Sequence, residues 1–252
     1  MRSLALALTI AALPVLAGQP LAYTEGGTKL AGYLALPAAT AGKVPGVVVV
    51  HQWMGLTDHE RKVSDDLAKL GYVALAADIY GEGVHPKDTA EAGKTAGIYK
   101  GDRALYRRRV QAALDTLKAQ KGVDPSRLAV IGFCFGGAGA LEAARAGMPV
   151  KGVVTFHGSL DVPEGYTPGP IAAKILVCHG ADDPFVTPKI VADFQDEMRK
   201  SKADYVFIAY ANAVHSFTQK EAGNDNSKGA AYNEAAQRRS WQHMKDFFKE
   251  IF

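Results

Sequence analysis

Short, wholly apolar runs recur along this chain, and between them apolar residues return every three or four positions. Gly46-Val-Val-Val-Val50 and Leu128-Ala-Val-Ile131 hold no polar residue, which is the mark of strands buried on both faces. Further strands are expected at Tyr72 to Ala77, Val153 to Phe156, Lys174 to Cys178 and Tyr205 to Tyr210. Helical periodicity covers Thr57 to Leu70, with Gly71 as its stop, then Arg103 to Gln120, the Ala-rich stretch Ala138 to Ala146, and Ala231 to Phe252. Leu21 to Leu36 reads as a hairpin turning at Gly26-Gly27. Ala38 to Gly46 and the Gly-rich Gly81 to Gly101 read as loops, the second overhanging a cleft. Strands alternating with helices predict a single α/β domain: a mostly parallel central sheet, helices on both faces, and an N-terminal hairpin.

The chain has 252 residues, 48% of them hydrophobic, enough for one large core without metals or disulfides. A net charge of +3 gives no case for nucleic acid, and Arg107, Arg108 and Arg109 are expected on a solvated helix face. Residues 1–17 read as a secretory signal peptide, with a basic start at Arg2 and an apolar run from Leu4 to Ala17 too short to span a bilayer. The domain is then 18–252, periplasmic or secreted, with no stable membrane insertion after cleavage. Cys134 and Cys178 are the only cysteines, and both are expected to be free, Cys178 within a buried strand.

Cys134 sits in Gly132-Phe-Cys134-Phe-Gly-Gly137, between an expected strand and an expected helix. This is the strand–turn–helix elbow G-x-S-x-G with sulfur in place of oxygen, and it puts the thiol at a helix N-terminus that favours negative charge. A thiol nucleophile needs a base, and the base needs an orienting acid. His215, just after the Tyr205–Tyr210 strand, leads the histidines, since the elbow architecture runs nucleophile, acid, histidine along the chain. His157 is its strongest rival, and His51 could also lie near the cleft. Asp182 and Asp183 compete as the acid, one expected to bind backbone N–H groups and the other to project into the cleft.

With Gly180-Ala-Asp-Asp183-Pro-Phe-Val186 and His215-Ser-Phe217 added to the elbow, nearly all of the mature chain resembles the dienelactone hydrolases of the α/β-hydrolase superfamily. The resemblance implies an α/β-hydrolase fold and a catalytic set of Cys134, His215 and Asp183. It also implies oxyanion donors at the backbone N–H groups of Phe135 and Trp53. Two departures stand out. Relatives carry a Glu where Gln52 stands, and the resemblance implies that this Glu holds the resting thiol neutral; Gln52 therefore predicts a readier thiolate–imidazolium pair. The two arginines that hold a substrate carboxylate fall at Glu82 and Gln219, which favours a neutral ester or lactone, unless Lys87 or Lys94 substitutes. Gln52, Met54, Tyr80, Phe185 and Phe217 are the candidate substrate-binding residues. Trp53 and Phe135 are further candidate pocket walls. No cofactor or metal is expected, because no ligand spacing such as H-E-x-x-H occurs. The expected activity is hydrolysis of a small-molecule ester or lactone through a thioester. An acyltransferase with the same residues and a non-catalytic secreted binding protein are the alternatives.

Overall fold

The computed structural model describes residues 18–38 and 42–252, so the leader expected at 1–17 lies outside the described residues. The hairpin consists of β1 (Gln19–Glu25) and β2 (Thr28–Ala35), turning through Gly26 and Gly27 at φ of 53° and 80°. Glycine takes that left-handed backbone without a Cβ clash. The chain then runs β3 (Val44–Val50), α1 (Asp58–Lys69), β4 (Val73–Ala77), α2 (Thr89–Gly101), α3 (Arg103–Lys118) and β5 (Val123–Phe133). It continues with α4 (Phe135–Arg145), β6 (Gly152–Phe156), β7 (Lys174–Gly180), α5 (Pro188–Lys200), β8 (Tyr205–Tyr210) and α6 (Glu234–Ile251).

One eight-stranded sheet has the order β1-β2-β4-β3-β5-β6-β7-β8. β2 pairs antiparallel with both β1 and β4, and every other pairing is parallel. The apolar runs split by alternation. Val48, Val50, Val130 and Val153 join the core under α3, α4 and α5, while Val47, Val49, Ile131 and Val154 join the core under α1 and α6. Both faces are therefore sealed, which is why those strands carry no polar residue.

Two expectations are corrected and one stretch gains an element. Gly81 to Gly101 is not all loop, because α2 fills 89–101. Its buried residues are Ala92, Ala96 and Tyr99, a stripe of mostly small side chains among glycines that gives almost no periodic signal. Asp88 caps it, accepting from the N–H groups of Ala90 and Glu91. The helix α5, begun by Thr187-Pro188, occupies a stretch left unassigned by the sequence reading. Finally, Arg109 is buried rather than solvated, donating to the Glu25 carbonyl at 3.0 Å and to Thr28 Oγ1 at 2.9 Å, so α3 is tied to the hairpin.

Candidate active site

The site forms where β5, β7 and β8 end. Cys134, between β5 and α4, has φ 51° and ψ −114°, a strained backbone for a residue with a Cβ. The glycines around it allow this turn. A Cβ on Gly132 would lie 1.9 Å from the Gly136 carbonyl oxygen, and one on Gly137 would lie 2.3 Å from Thr155 Oγ1. The Cys134 N–H donates to the Phe156 carbonyl at 3.1 Å, and the Cys134 carbonyl accepts from Gly137 and Ser159.

His215 follows β8 on a loop held by its own backbone. Its N–H donates to the Gly229 carbonyl at 3.1 Å, and its carbonyl accepts from Ala231 at 3.0 Å. Asp183 is the buried member of the aspartate pair and Asp182 the exposed one. Asp183 does both jobs expected of the two. Oδ1 accepts the Phe185 N–H at 2.9 Å, and Oδ2 lies 2.7 Å from His215 Nδ1. A carboxylate only accepts, so the imidazole proton sits on Nδ1 and Nε2 is left for the sulfur.

Electrostatics couple the sulfur and the ring. Burial pushes the Cys134 thiol up, but the charge and hydrogen bond of His215, the Phe135 N–H and Lys100 together hold it below its ordinary value. Burial disfavours a charged His215, yet Cys134 and Asp183 raise it well above the usual imidazole range. Both shifts favour thiolate beside imidazolium. The rival His157 is fully buried, its Nε2 2.8 Å from Thr218 Oγ1 and its ring edge-on to His215 at 5.2 Å. Burial, then the charge of His215, drive its pKa far down.

Cys134 and His215 open on a cavity of about 580 Å³ whose walls include Trp53, Phe185, Val186 and Ile190. Of the expected substrate-binding residues, Phe185 lines it, its ring edge-on to His215 at 5.4 Å. Phe217 does not, because it is fully buried against His157 and Tyr210 on the opposite face of the sheet. Tyr80 is likewise a core ring, and its hydroxyl donates to the Trp53 carbonyl at 2.9 Å. Phe135 is buried too, stacked on Tyr106 at 4.6 Å. Gln52 and Met54 are half-buried outside the cavity lining, and Gln52 Oε1 accepts from Gln219 Nε2. Glu82, Lys87 and Lys94 are exposed and do not line the cavity. The cavity lysine is Lys100, on the unexpected helix α2, donating to Ser159 Oγ at 2.9 Å and lying 3.7 Å from Asp161. Among the described residues no group of three or more His, Cys, Asp or Glu could hold a metal ion.

The sequence profile of the dienelactone hydrolase family matches residues 30–252. The chain belongs to that family. Within it, a probable 2-oxo-3-(5-oxofuran-2-ylidene)propanoate lactonase of Bradyrhizobium sp is 33% identical, over 77% of this chain and 81% of the relative. A putative carboxymethylenebutenolidase of Yersinia pestis is 28% identical, over 89% of this chain and 85% of its own. Among solved structures, a dienelactone hydrolase-like promiscuous phosphotriesterase from metagenomic libraries is 45% identical with a TM-score of 0.88, covering 93% of this chain and 98% of that one. A dienelactone hydrolase of Klebsiella pneumoniae, described as putative, is 24% identical with a TM-score of 0.78, covering 92% of this chain and 98% of that one, and shares the α/β-hydrolase fold. The chain is thus a hydrolase of this family built as one α/β domain.

Proposed function

We propose that this family member hydrolyses esters or lactones by acyl transfer through Cys134. The observation that carries the reading is the buried Asp183–His215 pair opening on the same cavity as Cys134, a thiol that His215 helps hold below its ordinary pKa. The sulfur attacks the substrate carbonyl carbon, and the carbonyl electron pair moves to oxygen between the N–H groups of Phe135 and Trp53. Collapse expels the alkoxide, which takes the proton from His215 and leaves a thioester on Cys134. His215 then removes a proton from water as it attacks the thioester, and the thiolate departs. Each oxyanion donor is worth about 3–4 kcal/mol in enzymes where one has been removed.

A neutral substrate suits the cavity, since the charge of Lys100 is answered by Asp161 at 3.7 Å. Phosphotriester cleavage is a second reading, favoured by the activity named for the 45% identical relative. A panel of chromogenic short-chain esters, lactones and an aryl dialkyl phosphate tests both, using wild type, Cys134→Ala and His215→Ala. Turnover of an ester or lactone that falls by about 10³-fold or more in both variants is the expected result. Equal turnover in all three proteins would leave the cysteine and histidine without a role. Turnover confined to the phosphate would move the assignment to the second reading.

A further inference from the structure

Immediately after β3, the peptide joining Gln52 to Trp53 is held by a side chain that acyl transfer leaves without a part. His51 is fully buried, and its Nδ1 lies 2.6 Å from the Gln52 carbonyl oxygen. Its Nε2 lies 3.2 Å from the backbone N of Ile79. A backbone N–H can only donate, so Nε2 accepts and the single ring proton sits on Nδ1, aimed at the Gln52 carbonyl. The imidazole is therefore neutral in this arrangement. Asp78 fixes the other end by accepting the N–H groups of Tyr80 and Gly81 at 3.0 and 2.9 Å, which holds the turn carrying Ile79.

Carbonyl oxygen and N–H of one peptide lie in a plane and point in opposite directions. Fixing the Gln52 oxygen thus fixes the direction of the Trp53 N–H. The same oxygen also accepts the Gly55 N–H at 3.1 Å, and the flanking peptides are held as well. Buried Glu60 accepts the Gln52 N–H at 3.4 Å, and Tyr80 donates to the Trp53 carbonyl at 2.9 Å. The other donor is kept at a set distance by contact. A Cβ on Gly136 would lie 2.2 Å from the Val50 carbonyl oxygen and 2.6 Å from that of His51. The backbone around His51 therefore abuts the helix that begins at Phe135, and the His51 ring packs against both Tyr80 at 4.6 Å and Phe135 at 5.9 Å.

We propose that His51 is a positioning residue for the oxyanion site, its neutral imidazole holding the Trp53 N–H in register with the Phe135 N–H. This rests on the acyl-transfer reading above, in which both N–H groups face the oxyanion. The test compares wild type with His51→Leu, which removes the donor, and His51→Asn, whose amide nitrogen takes the place of Nδ1. On a turned-over ester, His51→Leu lowers kcat by about 10²-fold, as a misplaced donor does, and leaves KM within about twofold. His51→Asn recovers kcat to within about fivefold of wild type. The pH profile of Cys134 alkylation stays the same in all three, because the sulfur–imidazole pair is untouched.

An activity-independent readout accompanies the kinetics. With two tryptophans in the chain, ¹⁵N-tryptophan labelling reports the backbone N–H of Trp53 beside that of Trp241 as an internal control. The ¹⁵N–¹H residual dipolar coupling of Trp53 changes in His51→Leu and returns in His51→Asn, while that of Trp241 holds. Unchanged kcat and coupling in His51→Leu, or equal losses in both variants, would overturn the proposal. If no substrate is turned over but the Trp53 coupling follows the donor, the acyl-transfer reading fails and the peptide-holding role of His51 stands.

Discussion

At the scale of single residues, Cys134 feels opposed influences. Burial favours the neutral thiol, while His215, the Phe135 N–H and Lys100 favour the thiolate, and together they outweigh burial. Alkylation of Cys134 is therefore expected to continue below the ordinary thiol range near ~8.5. Removing the cation in His215→Ala leaves only the Phe135 N–H and Lys100 against burial, so the apparent thiol pKa rises by about one unit or more. Gln52→Glu places a carboxylate one residue before Trp53, against Gln219, and should also raise it; an unchanged or lower value would reject the part given to Gln52. Cys178 does not confuse the measurement, since burial pushes its thiol up to about 12. The aspartates show what a linear reading leaves open. Two adjacent carboxylates are chemically alike in sequence, and only the turn that buries Asp183 and exposes Asp182 tells them apart. Phe217 misled for a related reason. Next to the histidine loop in sequence, it points to the other face of the sheet, because Ser216 turns the chain at φ 57°.

At the scale of elements, the elbow was legible because its demands are local. Strand, glycines and helix must follow each other closely, and each glycine answers a contact that a Cβ would violate. Gly136→Ala forces a Cβ against backbone oxygens at 2.2 and 2.6 Å, so it should cost about 1–3 kcal/mol or more in urea unfolding. It should also lower kcat, because the two donor N–H groups are pushed apart. Gly93→Ala is the contrasting case. That exposed position on α2 has nothing within 4 Å of an added Cβ, so helix propensity alone decides and stability rises by about 0.5–1 kcal/mol. Equal destabilisation by both substitutions would contradict the packing account. α2 itself escaped the sequence reading because three glycines hide its stripe of Ala92, Ala96 and Tyr99. Asp88 followed three residues later by Glu91, which accepts the Lys87 N–H at 2.9 Å, was the start signal available. With α2 went Lys100, and with α5 went Ile190, so part of the cavity wall was missing from the sequence reading.

At the scale of the whole molecule, parallel pairing brings the site together. β5 through β8 run side by side in one direction, so the residues just beyond β5, β7 and β8 all emerge at the same rim. This much follows from the order of apolar runs. The cavity walls do not, because they come from helices whose placement depends on long-range contacts. Arg145 on α4 makes such a contact, donating from a buried side chain to both carboxylate oxygens of Glu197 on α5 at 2.7 Å each, and so joining the elbow helix to the helix that carries Ile190. The most direct measurement of the central claim is intact-protein mass spectrometry of an acid-quenched turnover with a good ester substrate. The account predicts one acyl group added to wild type, located by peptide mapping on Cys134, and none on Cys134→Ala. Undiminished turnover by Cys134→Ala, with no acyl group found on wild type, would contradict it.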